Sequence, residues 1–232
     1  QSRGAGWVRT LKVDYPAVSG LGRSLFPTGT KATAQVKQLL KPASENGKLG
    51  KGKKIITKGK WKNLPMYSLS LEERKTCPRT CQQWLNCYGN NMPFAHRMDH
   101  TDKEFLPKLA GELSQLLMKF PRGIVIRLHV LGDFFSAPYV KFWEDQLILH
   151  PKLRLFGYTH REKDSPIGQA LKKLGTSTRS WIRWSDAGGP MSANITHEPG
   201  AIICPEQTKK TESCLTCGLC WSITSPITFL MH

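Results

Sequence analysis

The chain has 232 residues and a formal net charge of +17, with 34 Lys and Arg against 17 Asp and Glu, and it carries seven cysteines. A domain of that length buries roughly 70% of the surface its unfolded chain exposes, so it needs no disulfide scaffold, and no stretch approaches the ~18 uninterrupted apolar residues of a membrane-spanning helix. The opening residues QSRGAGWVRT hold no apolar core of a signal peptide, so the expectation is a cytoplasmic protein without membrane contact, whose clustered thiols stay reduced and bind metal.

The charge is unevenly spread. Residues 1–63 hold 14 Lys and Arg against 2 Asp and Glu, whereas the rest of the chain holds 20 against 15. This predicts a basic, loosely structured arm (1–63), a central domain (64–198) and a cysteine-rich C-terminal segment (199–232). Within the arm a short helix is expected around Ala32–Leu40, stopped by Pro42. The run GKLGKGKKIITKGKWKN (47–63) is rich in Lys and Gly without periodicity. Its lysines Lys51, Lys53, Lys54, Lys58, Lys60 and Lys62 are the candidate contacts to DNA or RNA, since such arms meet polyanions. A solubilising linker is the bland alternative.

The stretch CPRTCQQWLNCYGNN (77–91) follows, with Cys77, Cys81 and Cys87. Three thiols are one short of a closed tetrahedral site. Either the fourth position is left open, or His96 or His100 completes it.

Beyond it, Phe105, Leu106, Leu109, Leu113, Leu116 and Leu117 recur at helical spacing within Asp102–Phe120, and Pro121 closes the helix. The run GIVIRLHVLGDFF (123–135) reads as a strand ending at Gly132. Ser136 is a fair N-cap for a helix to about His150. LRLFGYTHR (153–161) is a second strand, and SPIGQALKKLG (165–175) a helix with Ser165 as cap, Pro166 at its first position and Gly175 as stop. RSWIRWS (179–185) is a third strand and AIIC (201–204) a fourth.

Alternating strands and helices predict parallel βα units. One strand face carries Val125, Arg127, His129 and Leu131, and another Trp181, Arg183 and Ser185. A parallel strand covered on both sides is normally apolar throughout. The expected fold is therefore α/β, a partial, open TIM-like barrel with a polar lumen and its site at the C-terminal strand ends: Gly132-Asp133, Thr159-His160-Arg161 and Ser185-Asp186. The candidate catalytic groups are Asp133, His129 and Arg183. Gly132, Asp133 and Ser185 are the candidate cofactor-binding residues. Tyr158, Trp181 and Trp184 offer faces for stacking a base, with core packing as the alternative.

The chain's last cysteines lie in CPEQTKKTESCLTCGLC (204–220). Cys214, Cys217 and Cys220 form C-x2-C-x2-C, a ferredoxin-type run, and Cys204 followed by Pro205 fits the remote fourth ligand. These four make a closed set, read as a structural or electron-carrying [4Fe-4S] cluster. Zinc is the alternative there. The first three thiols then hold a [4Fe-4S] cluster with one iron open to an external ligand.

The CP…C…CY segment, RLHVLGDFF, YTHR, RWS and the terminal CP…CxxCGLCW, in this order, resemble the phage and plasmid family named after gene product 88, over roughly residues 46–221. The resemblance implies a protein of a mobile genetic element and carries no established activity. A more distant likeness is to radical S-adenosylmethionine enzymes, which hold three cysteines in the loop after the first barrel strand and a glycine–acid motif at the end of the next. Here Cys77-x3-Cys81 matches the first gap and Leu131-Gly132-Asp133 the acid motif, while the gap to Cys87 is longer. This likeness implies S-adenosylmethionine as cofactor, its ammonium on Asp133. The expectation is a radical-type iron–sulfur enzyme acting on nucleic acid or nucleotides. The alternatives are a nucleic-acid-binding protein with structural iron–sulfur or zinc sites, and an adaptor in a mobile-element assembly.

Overall fold

The computed structural model describes residues 30–92, 95–185 and 187–230. A small parallel ribbon joins β1 (Thr30–Lys31) to β4 (Arg97–Met98). The main sheet has eight strands in the spatial order β2 (Lys41–Pro42), β3 (Met66–Leu69), β5 (Ile124–Leu128), β6 (Leu153–Thr159), β7 (Ser180–Ser185), β8 (Ser192–Asn194), β10 (Ile227–Thr228), β9 (Ile202–Ile203). Every neighbouring pair is parallel except β2–β3. From β3 to β8 the strands adjoin in chain order. Then β9 lies at the far edge and β10 fills the gap behind it.

The expected α/β architecture with parallel βα units forms, and its sheet is not closed. At one edge β2 runs antiparallel to β3 and carries Pro42, which has no amide to offer a further strand. The other edge is β9, a two-residue strand.

The helices are α1 (Glu73–Thr76), α2 (Phe105–Lys119), α3 (Ala137–Leu149), α4 (Pro166–Leu174) and α5 (Cys214–Cys217). The expected caps are present: Ser136 accepts from the Tyr139 amide and Ser165 from the Gly168 amide. Strand residues Ile124, Ile126, Leu128, Leu153, Leu155 and Ile182 pack with Leu109, Leu113, Val140, Trp143, Leu147 and Leu171 of α2, α3 and α4 in one core. The period-2 alternation of the strands sends Val125 and Phe156 to the opposite side. There they pack with Met66, Trp61, Leu215 and Trp221 in a second core.

That second core corrects two expectations. The polar sheet face is open only in part, to a cavity at its C-terminal end, because residues 43–64 and the segment around α5 cover the rest. Residues 30–63 are not loosely attached either. Val36, Leu39, Leu40, Ala43, Leu49, Ile56 and Trp61 are buried, and the Leu39 and Leu40 amides donate to the Glu112 carboxylate on α2. The helix expected at Ala32–Leu40 is only a 3-10 turn, Thr33–Gln35. The rest of the expected arm, residues 1–29, lies outside the described residues, as does Asp186. No helix among the described residues is long and apolar enough to cross a membrane.

Candidate functional site

At the C-terminal strand ends a cavity of about 530 Å³ opens between the sheet, the 77–92 loop and the C-terminal segment. Cys77, Cys81, Cys87, Cys204, Cys214, Cys217 and Cys220 all line it, and all seven thiols are free. Residues far apart in the chain are thus brought to one space, as the C-terminal end of a parallel sheet allows.

The first three cysteines sit on the loop after β3. Its course is fixed by buried cations. Arg97 is fully buried and forms a two-point pair with Glu73, Nε–Oε2 2.7 Å and Nη2–Oε1 3.0 Å. It also donates to the carbonyls of Gly89, Met92 and Ala95. Arg74 donates to the Trp84 carbonyl and to Asn90 Oδ1. Burial is the largest cause raising the Cys77 pKa, with the charges of Asp133, Cys87 and Cys81 adding to it. The Cys87 thiol is pushed up to about 12, again chiefly by burial, although it accepts a bond from the Gly89 amide at 3.4 Å. Without a cation, such thiols stay protonated at neutral pH.

The other four cysteines hang from β10 and from the basic loop. The Cys204 amide donates to Thr228 O and the Cys214 amide to Lys48 O. Burial is the largest cause raising the pKa values of Cys214, Cys217 and Cys220, and the charge of Cys204 adds to each. Among the described residues, no three or more His, Cys, Asp or Glu stand close enough to hold a single metal ion.

The strand-end residues separate into distinct roles. Asp133 is buried on the cavity wall. Its Oδ1 accepts from the Phe134 amide (2.7 Å) and Thr159 Oγ1 (2.9 Å), and its Oδ2 from the His160 amide (2.8 Å). Burial nevertheless raises its pKa. Gly132 has φ +88°, and a Cβ there would come within 2.7 Å of Leu71 Cβ and Thr76 Oγ1, so it lets the cysteine loop's root close on the strand end. Ser185 lines the cavity at the end of β7.

His129 lines the cavity and also reaches α3, with Nε2 2.8 Å from the Tyr139 hydroxyl. Burial lowers its pKa to about 3, so it is a neutral imidazole at the cavity's inner edge. Arg183 is a correction: it is absent from the cavity lining. Its donors go to the carbonyls of Cys220, Ser192, Ser225 and Ile223, so it clamps the C-terminal segment instead of orienting a substrate. The cations that do face the cavity are Lys48 and Arg127, the latter stacked 4.2 Å from the Tyr158 ring centre.

Neither His96 nor His100 lines the cavity. His100 packs on Phe135 at 4.5 Å. The groups present instead are Glu73, Glu206 and His160, the last bonded through Nε2 to the Thr80 carbonyl at 3.1 Å. Sequence reasoning placed His160 at a strand end of the site without assigning it a role, and it missed Glu73, which shows itself only through its partner Arg97, distant in sequence.

Trp181 carries Lys60 on its face and Trp184 carries Lys163, so their rings already have cations above them. Lys51, Lys53, Lys54, Lys58, Lys60 and Lys62 are all exposed. They ride on a folded loop: the Thr57 amide donates to Leu215 O, the Lys60 amide to Ser222 Oγ, and Trp61 stacks parallel to Trp221 at 6.0 Å. Lys53 pairs with Glu212 at 3.0 Å.

Fold and cavity together define a mixed α/β protein on an open, mostly parallel sheet, with a thiol-lined chamber at its C-terminal strand ends. Residues 37–167, more than half of the chain, match the family model Gene product 88, and the protein belongs to that family. The match covers the first cysteine set and Asp133 and ends before the last four cysteines. No curated protein and no solved structure matches the chain.

Proposed function

We propose that this is an iron–sulfur protein with two [4Fe-4S] clusters facing one cavity: an open one on Cys77, Cys81 and Cys87, and a closed one on Cys204, Cys214, Cys217 and Cys220. On this reading it is a radical S-adenosylmethionine-type enzyme acting on nucleic acid or a nucleotide. The observation that carries the reading is the convergence of all seven cysteines on one chamber. The C-x2-C-x2-C run of Cys214, Cys217 and Cys220 with the remote Cys204 supports it.

The placement of the parts accords with the radical-enzyme likeness as well. The three-cysteine loop follows β3, the first strand of the parallel series, and Gly132-Asp133 follows β5, the next. When bound, an open iron and S-adenosylmethionine would supply one-electron chemistry that no side chain offers. The chain's own residues position and select. A carboxylate has roughly four acceptor sites, and three bonds reach Asp133 from within the protein. The acceptor left on Oδ2 suits an ammonium, whose charge would offset the burial of the anion. Arg127 and Ser185 face the same space.

The test is spectroscopic. Anaerobic, dithionite-reduced protein is expected to show a paramagnetic cluster signal that changes on adding S-adenosylmethionine. Asp133→Asn is expected to weaken that change while retaining the signal. A signal indifferent to S-adenosylmethionine would contradict the cofactor assignment.

The lysine loop favours a second element: a polyanion docks on the face formed by residues 51–62 and the four-cysteine segment. If both sites hold zinc, that face alone defines the protein as a nucleic-acid binder.

A further inference from the structure

We infer that Tyr158 tunes the four-cysteine centre: its hydroxyl donates to the Cys220 sulfur, and with the Arg127 guanidinium stacked on its ring it raises that centre's reduction potential. This rests on reading the centre as an iron–sulfur cluster. The geometry is specific. Tyr158 Oη stands 2.8 Å from Cys220 Sγ. Arg127 lies 4.2 Å from the Tyr158 ring centre and 5.3 Å from that of Phe156. On the adjacent strand, Tyr158's register partner is Arg183, and Arg183 Nε donates to the Cys220 carbonyl at 3.0 Å. Paired residues on adjacent strands project to the same face, so one residue holds the backbone of Cys220 and its neighbour addresses the sulfur.

A ligand that needed only packing would be met by Phe. The hydroxyl adds a donor aimed at the atom through which charge is delocalised. Entry of one electron makes the cluster and its sulfurs more negative. A hydrogen bond to sulfur and a nearby fixed cation both stabilise that reduced state more than the oxidised one. Both effects are stronger in a buried, low-dielectric site. No covalent bond changes in this couple, and the electron comes from an added reductant such as dithionite.

The experiment uses the full chain, purified anaerobically, with redox titration followed by electron paramagnetic resonance. Tyr158→Phe is expected to lower the ratio of reduced to oxidised four-cysteine cluster about tenfold at fixed ambient potential, a fall of 59 mV for a one-electron couple. The three-cysteine centre is expected to keep its potential. Arg127→Gln is expected to shift the four-cysteine centre in the same direction with the Cys220 bond retained. In wild-type protein exchanged into D2O, electron–nuclear double resonance is expected to find an exchangeable deuteron near the reduced cluster, even if Tyr158→Phe fails to load iron. An unchanged potential in both variants, or no such deuteron, would overturn this inference while leaving the cluster assignment standing. Wild-type protein without iron at that site would overturn both.

Discussion

Gly218 and Gly59 lie backbone against backbone. A Cβ on Gly218 would stand 3.1 Å from Gly59 Cα and 2.5 Å from the Lys58 carbonyl oxygen. Gly218 also has φ +73°, as the left-handed stop of α5. This contact seats the four-cysteine segment on the lysine loop. Gly218→Ala is therefore expected to cost about 1–3 kcal/mol from backbone strain, with the overlap adding to it. Urea denaturation would measure the loss, and a midpoint equal to wild type would refute the close approach.

The Glu73–Arg97 pair supports the other cysteine loop from below. Glu73→Gln leaves a buried guanidinium without its counter-charge and is expected to destabilise the fold by about 3–5 kcal/mol. Glu73→Leu with Arg97→Met removes both charges and is expected to recover part of that loss. Recovery should be incomplete, because Arg97 also holds three loop carbonyls.

His129 makes stability depend on pH. Burial pushes its folded pKa down to about 3, below the ordinary histidine value of 6.5. Between those values the unfolded chain binds a proton that the folded protein excludes, so stability rises with pH. Acidification from pH 6.5 toward 3 is expected to cost up to about 1.4 kcal/mol per pH unit through this group. His129→Phe should flatten that part of the profile. Equal slopes for the variant and wild type would place the dependence elsewhere.

The lysine loop makes a salt-dependent prediction. Changing Lys51, Lys58 and Lys62 to Gln is expected to weaken binding to single- or double-stranded nucleic acid. It should also reduce the slope of log affinity against log salt by about 2 to 3, at ~0.9 per phosphate contact on duplex DNA. Unchanged affinity and slope would remove nucleic acid from the account of this loop.

The sequence made some of this visible and hid the rest for physical reasons. Ser136 and Ser165 marked α3 and α4 because a cap is a local interaction. The apolar alternation marked β5 because its two faces meet different cores. The four-residue β3, three-residue β8 and two-residue β10 left no such mark, since their pairing depends on neighbours. Residues 47–63 looked unstructured by composition, yet Trp61 finds Trp221 across the chain. Arg127, His129 and Arg183 looked alike as polar groups on sheet strands. Only their partners distinguish a cavity cation, a buried neutral imidazole and a backbone clamp. The cysteine spacings gave the three and the four as separate sets, but their meeting on one cavity depends on the parallel strand order.

The central claim is that both cysteine sets hold iron–sulfur clusters, and metal content tests it most directly. Protein purified without oxygen should contain about eight irons with matching acid-labile sulfide per chain, and little zinc. Replacing Cys81 or Cys217 by Ala should each remove about half of that iron. Wild-type protein carrying two zincs, with no iron or sulfide, would contradict the account.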